Sequence, residues 1–159
     1  MENILEAALT ASTRYNGQRD ERDFSKALIL DPVEAWRYDN GTGKLVFRYE
    51  TAGKNHRNLY GTMHGGIIAS VLDVAVGMSM ATLTKHVINT VDLHISYLRA
   101  GVGEHYRIEV EVTHLGRRLG SANMKLIDVD NDELVATGQA TFFIFEQMLD
   151  VFREEEEKE

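Results

Sequence analysis

The stretch MHGGIIASVLDVAVGMSMATLTK, residues 63–85, decides the fold, because it is the only long helical candidate in the chain. Its apolar residues cover nearly the whole circumference of a helix, which predicts a buried helix rather than one lying on a surface. They are Ile67, Ile68, Val71, Leu72, Val74, Ala75, Val76 and Met78. Ser70, Asp73 and Gly77 interrupt the run, which therefore falls short of the roughly 20 apolar residues that span a bilayer. We expect a core helix and no membrane span.

Shorter elements are predicted on both sides of this helix. A helix is expected over about residues 2–13, and two alternating runs flank an Asn40–Gly41 turn that is typical of a β-hairpin. The two runs are residues 33–39 and 44–50. After the long helix come four alternating runs, residues 87–98, 106–113, 119–129 and 133–145. Their short links predict an antiparallel meander. The expected fold class is α+β, with an antiparallel sheet wrapped around a long central helix.

Composition and charge limit the class of protein. A chain of 159 residues supports one domain, with a core over about residues 31–146 and an acidic tail over 147–159. The absence of cysteine excludes disulfides, thiolate metal sites and cysteine nucleophiles. A net charge of −8 without a basic stripe argues against nucleic acid as a partner. The N-terminus lacks the features of a secretory signal, so a cytoplasmic location is expected.

An acid in the middle of an apolar helix requires an explanation, because burying an unpaired carboxylate costs several kcal/mol. Gly66, Ser70, Asp73 and Gly77 follow at steps of four, three and four, which places them on one helix face. Asp73 thus lies on a stripe of small residues that a ligand or another backbone can approach closely. A satisfied structural acid remains the alternative interpretation.

The start of the same helix suits the binding of an oxyanion. The paired glycines Gly65 and Gly66 leave backbone N–H groups uncovered in the first turn, where the helix dipole adds partial positive charge. Asp73 is nine residues beyond His64, or roughly 13–14 Å along the axis. One chain therefore cannot bring both groups to one carbonyl. If both act on one substrate, the site is shared across a dimer.

At these residues the chain resembles the hotdog-fold acyl-CoA thioesterases, namely the PaaI-like type and its relatives that act on hydroxybenzoyl-CoA. The resemblance covers roughly residues 33–145. Its motifs are Asn58-Leu-Tyr-Gly-Thr-Met-His64-Gly-Gly66, Leu72-Asp73, Thr90-Val-Asp-Leu93, Tyr97-Leu-Arg99, Gly116-Arg-Arg-Leu119 and Leu134-Val-Ala-Thr-Gly138. What it implies is a thioester hydrolase that releases free acid and coenzyme A. No metal and no organic cofactor are expected, since coenzyme A is part of the substrate.

The resemblance implies catalytic roles for five residues. Asp73 matches the catalytic acid, acting as nucleophile or as general base, and Gly65 matches the residue that supplies the oxyanion amide. His64 matches the histidine that orients substrate near the sulfur, Asn58 a residue that places the nucleophile or water, and Thr90 a hydroxyl that holds the water in some members. The alternatives are that His64 caps the helix, that Asn58 is a plain loop residue and that Thr90 is an ordinary strand residue.

Binding of the substrate is assigned to a second group of residues. Arg99, Arg117, Arg118 and His114 are the candidate phosphate contacts, and Arg117 follows Gly116 in the family's Gly-Arg turn. Tyr97 is expected to line the acyl or pantetheine channel, unless it is a core residue. Gly66 and Asp92 belong to the matched motifs and complete the predicted binding residues. Where some relatives carry a hydroxyl four residues after the acid, this chain has Gly77.

Two other functions compete with hydrolysis. One is another hotdog enzyme, a dehydratase or hydratase of acyl thioesters, although such enzymes carry proline-rich loops and this chain has only Pro32. The other is a non-catalytic acyl-CoA sensor, although such proteins usually lack the acid. A Ser-His-Asp site has no nucleophile elbow here, and His56 with His64 is a weak metal pair. The expected assembly is a homodimer, and a homotetramer of two such dimers is the alternative.

Overall fold

The computed structural model describes residues 3–17, 28–51, 53–150 and 152–153. Within these ranges the chain forms two α-helices, one short 3-10 helix (Gly53–His56) and six strands. The helices are α1 (Ile4–Gly17) and α2 (Gly65–Thr84). The strands are β1 (Asp31–Arg37), β2 (Gly43–Glu50), β3 (His86–Tyr97), β4 (His105–Leu115), β5 (Leu119–Asp128) and β6 (Glu133–Met148). Helix α1 extends to Gly17, four residues beyond the predicted end near residue 13.

One six-stranded antiparallel sheet, in the order β1-β2-β4-β5-β6-β3, packs against α2. Helix α2 contacts β2, β3, β4, β5 and β6, and α1 contacts β1 and α2. The core lies between sheet and helix, where Leu72, Ala75, Val76 and Met80 are fully buried. The predicted α+β class, with an antiparallel sheet around a long central helix, is confirmed.

The predicted four-strand meander is wrong for β3. Strands β4, β5 and β6 are consecutive neighbours, but β3 pairs with β6, and β4 pairs with β2. The link over residues 98–104 therefore crosses β6 and β5 to reach β4. Seven residues can span about 23 Å when extended, and three strand spacings are only about 14 Å. The length of this link therefore allows β4 to lie three strands away from β3 as readily as it allows a β3–β4 hairpin.

Helix α2 is also more open than the pattern of apolar residues predicts. The sheet buries one side of it, including Ile68, Val71, Leu72 and Ala75, but the opposite side stays partly exposed in the single chain. That open face carries the predicted stripe of small residues. The helix is apolar enough to span a membrane by length and composition, with a mean hydropathy of 1.8, which the interruptions did not suggest. Half of that segment is buried, as in the core helix of a globular protein.

A buried carboxylate fixes the crossing link near the start of α2. Asp128 is 1% exposed, and it accepts hydrogen bonds from the backbone amides of Val102 and Gly103 and from both the backbone and the side chain of Asn131. The link in turn holds the segment before α2, because the Met63 amide donates to the Gly101 carbonyl at 2.8 Å.

Replacing Asp128 by Ala is expected to lower the free energy of unfolding by about 3 kcal/mol, because it leaves several buried amide donors without an acceptor at about 1–3 kcal/mol each. Urea unfolding monitored by circular dichroism measures the change. The control is Glu34→Ala on the exposed side of β1, which should change stability by less than about 0.5 kcal/mol. A loss at Asp128 no larger than at Glu34 would contradict this role.

Candidate active site

Asp73 lies on the partly exposed face of α2, with one carboxylate oxygen hydrogen-bonded to a strand. The hydroxyl of Thr90, on β3, donates to Asp73 Oδ1 at 2.8 Å. Both side chains line one end of a cleft of about 390 Å³. The remaining walls are mostly apolar, and they come from α1, α2, the first half of β3, β6 and residues 149–150. The carboxylate therefore has one fixed oxygen and stands beside a cavity that is suited to an apolar group.

A β-bulge places Thr90 beside Asp73. On β3 the paired residues advance from Thr90 to Asp92 while their partners on β6 advance by one residue, so Val91 is extra. Thr90 and Tyr97, seven residues apart, both reach α2, whereas a regular strand would put them on opposite faces. The regular alternation predicted from the sequence is therefore wrong at Val91. Asp92, a predicted binding residue, is exposed and has no contact with the Asp73 end of the cleft.

The first turn of α2 leaves one amide available. His64 caps the helix in an extended conformation (φ −64°, ψ 135°), and its Nδ1 accepts the Gly66 N–H at 2.9 Å. Among the residues that the structure describes, no hydrogen bond uses the Gly65 N–H. Of the two glycine amides expected to be uncovered, Gly65 alone is therefore open. His64 has the capping role that its alternative interpretation predicts, and its predicted contact with substrate stays a prediction.

Three groups that the sequence did not single out for this purpose hold the helix start in place. The Tyr97 hydroxyl donates to the Gly65 carbonyl at 2.9 Å, and its ring packs over the glycine. The His64 amide donates to the carbonyl of His56, whose buried ring is hydrogen-bonded to the Tyr49 hydroxyl. Burial lowers the pKa of His56 and raises the pKa of Tyr49. His56 is therefore a neutral residue that supports the structure. The pattern of apolar residues in the sequence did not indicate this role.

The side chain of Asn58 forms its hydrogen bonds within its own turn. Its Oδ1 accepts the amides of Tyr60 and Thr62, and its Nδ2 donates to the Thr62 hydroxyl. This is the arrangement of the alternative interpretation, a loop asparagine that stabilises a turn. Asn58 precedes the helix, so within one chain it is far from Asp73. Its predicted role in placing the nucleophile or water therefore requires the Asp73 of a second chain.

The predicted phosphate contacts fall into two separate groups. Arg117 and Arg118 lie in the β4–β5 turn, 3.7 Å and 3.4 Å from Glu146. Gly116 lies in the same turn, where its amide donates to the Leu119 carbonyl, and His114 lies beside the turn near the end of β4. Arg99 lies at the other end of β6, where its Nε is 3.5 Å from Glu133. Glu133 and Glu146 are thirteen strand residues apart, or roughly 40 Å. Arg99 and the Arg117–Arg118 pair of one chain therefore cannot contact the same substrate molecule.

The groups of chemical interest therefore divide into two half-sites. The half-site at the start of α2 contains Gly65, with Tyr97 against it and Arg99 beyond the end of the same strand. The other half-site contains Asp73 and Thr90, at the cleft. Within the described ranges, no three His, Asp or Glu side chains are grouped closely enough to hold a metal ion.

A long helix enclosed by an antiparallel sheet is the architecture of the hotdog class of protein. The family model for the thioesterase superfamily matches residues 60–135. The medium/long-chain acyl-CoA thioesterase YigI of Escherichia coli K12 is 30% identical over 143 residues, covering 76% of this chain and 84% of its own. The chain belongs to the thioesterase superfamily, and its enzyme class is thioester hydrolase.

Solved structures agree on the fold. Zebra fish thioesterase superfamily member 2 superposes with a TM-score of 0.74 at 24% identity, over 91% of this chain and 100% of its own. The PaaI protein of Escherichia coli superposes with a TM-score of 0.73 at 19% identity, over 92% and 99%. The predicted resemblance to PaaI-like hotdog thioesterases is confirmed.

Proposed function

We propose that the protein is an acyl-CoA thioesterase whose sites are each built from two chains. The observation that carries the proposal is the division of one chain into an Asp73 half-site and a Gly65 half-site, which helix geometry keeps roughly 12 Å apart. Each helix then gives its N-terminus to one site and its Asp73 to the other. This agrees with the names of the curated relatives, which include an acyl-CoA thioesterase at 30% identity.

Two exposed surfaces support a dimer. Strand β3 has twelve residues and is an edge of the sheet, and no strand of the described residues pairs with its outer side. Long uncovered edges are unusual in proteins unless another chain covers them. The open face of α2, with its small residues, adjoins this edge through the Asp73–Thr90 contact. In the dimer that we propose, β3 strands pair and the open helix faces meet. Association of two dimers into a tetramer remains a prediction.

The chemistry follows from what the groups can do in such a site. Asp73, with one oxygen held by Thr90, attacks the thioester carbonyl or removes a proton from the attacking water. The carbonyl oxygen becomes an oxyanion, which the Gly65 N–H of the other chain stabilises together with the helix dipole. The carbon–sulfur bond then breaks, and the coenzyme A thiolate takes up a proton. Where Asp73 is the nucleophile, this step leaves a mixed anhydride between Asp73 and the acyl group, and water hydrolyses it to the carboxylic acid and the free Asp73 carboxylate. The net reaction consumes one water and releases a carboxylic acid and free coenzyme A.

The cleft supports an aliphatic acyl group as substrate. Apolar or small residues form its walls, including Val74, Gly77, Ala81, Ile88 and Phe142. A cavity of about 150 Å³ accepts benzene, so 390 Å³ has room for a chain longer than six carbons. YigI is named for medium- and long-chain substrates, which agrees with this estimate. The exposed arginines Arg99, Arg117 and Arg118 are the groups we assign to the coenzyme A phosphates.

Release of free coenzyme A from saturated acyl-CoAs of two to sixteen carbons tests the function. The protein contains no cysteine, so a thiol reagent reports only the product. We expect kcat/KM to rise with chain length from acetyl-CoA to a medium-chain optimum. Tight binding of acyl-CoA without release of thiol would contradict the proposed hydrolysis and favour an acyl-CoA sensor. Formation or loss of a double bond in the acyl group would point to a hydratase or dehydratase.

Thr90→Val is expected to lower kcat by between about 10- and 100-fold, because a hydrogen bond to a charged group contributes about 1.5–3 kcal/mol. Valine keeps the shape of threonine but cannot donate to Asp73. The matched control is Thr90→Ser, which retains the hydroxyl and should retain most of the activity. Equal activity of the valine and serine variants under saturating substrate would show that the hydroxyl does not act on Asp73.

A further inference from the structure

The most exposed apolar side chains of the described residues lie side by side on one turn. Leu59 is 102% exposed and Tyr60 is 90% exposed, whereas no other large apolar side chain exceeds 60%. They form the tip of the turn over residues 58–61, which precedes α2; we call this pair the apolar tip. Isolated exposed apolar residues are common on protein surfaces, whereas two adjacent, almost fully exposed ones on a fixed turn offer an apolar contact to another molecule.

The turn beneath the apolar tip is held rigidly. The Gly61 amide donates to the Asn58 carbonyl at 3.0 Å, and Gly61 has a φ of +78°, which glycine adopts without strain. The side chain of Asn58 binds Tyr60 and Thr62, as described above. Arg57 donates to the Gly61 carbonyl at 2.7 Å and to the Gly103 carbonyl at 3.0 Å. A tip fixed in this way loses little conformational freedom when it binds, which favours a specific contact.

The position of the apolar tip indicates that its binding partner is a second copy of the chain. Leu59 and Tyr60 precede Gly65 by only five to six residues, so they move with the half-site that has to meet Asp73 of another chain. Beside Asp73 lies the apolar cleft, whose lining includes the partly exposed small residues Gly77 and Ala81 of α2. The tip has no charged side chain, and Asp73 and Asp150 are the only carboxylates among the cleft's described lining residues, most of which are apolar. The two surfaces match in chemistry.

We propose that the apolar tip of one chain closes the acyl cleft of a second copy, so that Leu59 and Tyr60 contact the bound acyl chain and determine the preference for longer acyl groups. This inference rests on the proposed function, because it uses the shared site. It adds two specificity-determining residues that act in the partner chain. Short acyl groups end near Asp73 and do not reach the tip, whereas longer chains bury methylene groups against it.

The kinetic test is the double variant Leu59→Ala/Tyr60→Ala with acyl-CoAs of increasing length. We expect kcat/KM for dodecanoyl-CoA to fall about tenfold, the effect of exposing about two methylene groups to water. The change should lie in KM, and activity with acetyl-CoA should stay within about twofold. The matched control is Trp36→Ala, an exposed aromatic side chain on the edge strand β1, which should leave the whole profile unchanged. An unchanged profile of the double variant would overturn the inference.

The location of the tip is tested separately by cross-linking, which the absence of native cysteine makes selective. Chains with Tyr60→Cys are mixed with differently tagged chains carrying Met78→Cys in the cleft wall, and a short bis-maleimide is added. We expect a mixed cross-linked dimer, and none when Trp36→Cys replaces Tyr60→Cys. Its absence would overturn the placement of the tip even if wild type hydrolyses acyl-CoA. Cross-linking in a protein that hydrolyses no acyl-CoA would support the placement while refuting the proposed function.

Discussion

Asp73→Asn is expected to lower kcat for acyl-CoA hydrolysis by about 1000-fold, within the range of about 100- to 10,000-fold that general acid–base groups contribute. Asparagine has the shape of aspartate, and its side-chain oxygen can still accept the Thr90 hydroxyl at the position that Asp73 Oδ1 occupies. It can neither attack the thioester carbonyl nor take a proton from water. KM should change little, because the amide leaves the walls of the cleft intact. Thiol release under saturating substrate measures the effect.

The control for this variant is its fold and its binding. The melting temperature of Asp73→Asn should match wild type within a few degrees, and acyl-CoA should still bind when measured by calorimetry. A second control is Ser70→Ala, one turn before Asp73 on the same helix face, where the hydroxyl bonds to the Gly66 carbonyl. It should retain most of the activity. If Asp73→Asn kept a kcat within threefold of wild type, Asp73 would have no catalytic role.

Gly65→Pro is expected to lower kcat by about 100- to 1000-fold, the usual cost of removing one oxyanion donor. Proline removes only the N–H that the account assigns to the oxyanion, and the structure suits it otherwise. Gly65 is the first residue of α2, where proline fits a helix. His64, with φ −64° and ψ 135°, already has the extended conformation that a residue before proline adopts. The loss should therefore come from chemistry rather than from unfolding.

Gly65→Ala separates the amide from the side chain. A Cβ at this position would lie 3.5 Å from the Tyr97 ring, an ordinary contact, and the N–H remains. We expect the alanine variant to keep kcat within a few-fold of wild type, and both variants to melt near the wild-type temperature. Equal losses in the alanine and proline variants would assign the effect to crowding by Tyr97. Full activity of the proline variant would remove the Gly65 amide from the mechanism.

Local patterns predicted the elements better than the pairing of strands. The limits of α2 and the hairpin at Asn40–Gly41 follow from residues close together in sequence, where apolar spacing and turn residues act directly. The β3–β6 pairing depends on where a seven-residue link leads, and both a hairpin and a crossing are sterically open to it. The bulge at Val91 is also beyond such patterns, since one inserted residue reverses every later face assignment.

The same distinction applies to the site. Asp73 is visible in the sequence because an acid in an apolar helix is costly, and the helix rise alone separates it from Gly65. The resemblance to the family predicted a role for Thr90, but strand geometry could not predict its contact with Asp73, because that contact depends on the bulge at Val91. The support from Tyr97 comes from a residue 32 positions away in the chain, and the Tyr49–His56 contact depends on how the end of β2 and the segment that follows it fold back on each other. No spacing in the sequence indicates these contacts.

The sharing of each site between two chains is tested most directly by the activity of mixed dimers. Differently tagged Asp73→Asn and Gly65→Pro chains are co-expressed, and the dimer that carries both tags is purified. In a shared arrangement one of its two sites contains both defects, and the other contains Gly65 and Asp73 intact. We therefore predict about half of the wild-type kcat per dimer from two chains that are each nearly inactive alone. Activity of the mixed dimer no higher than that of its parents would contradict the account.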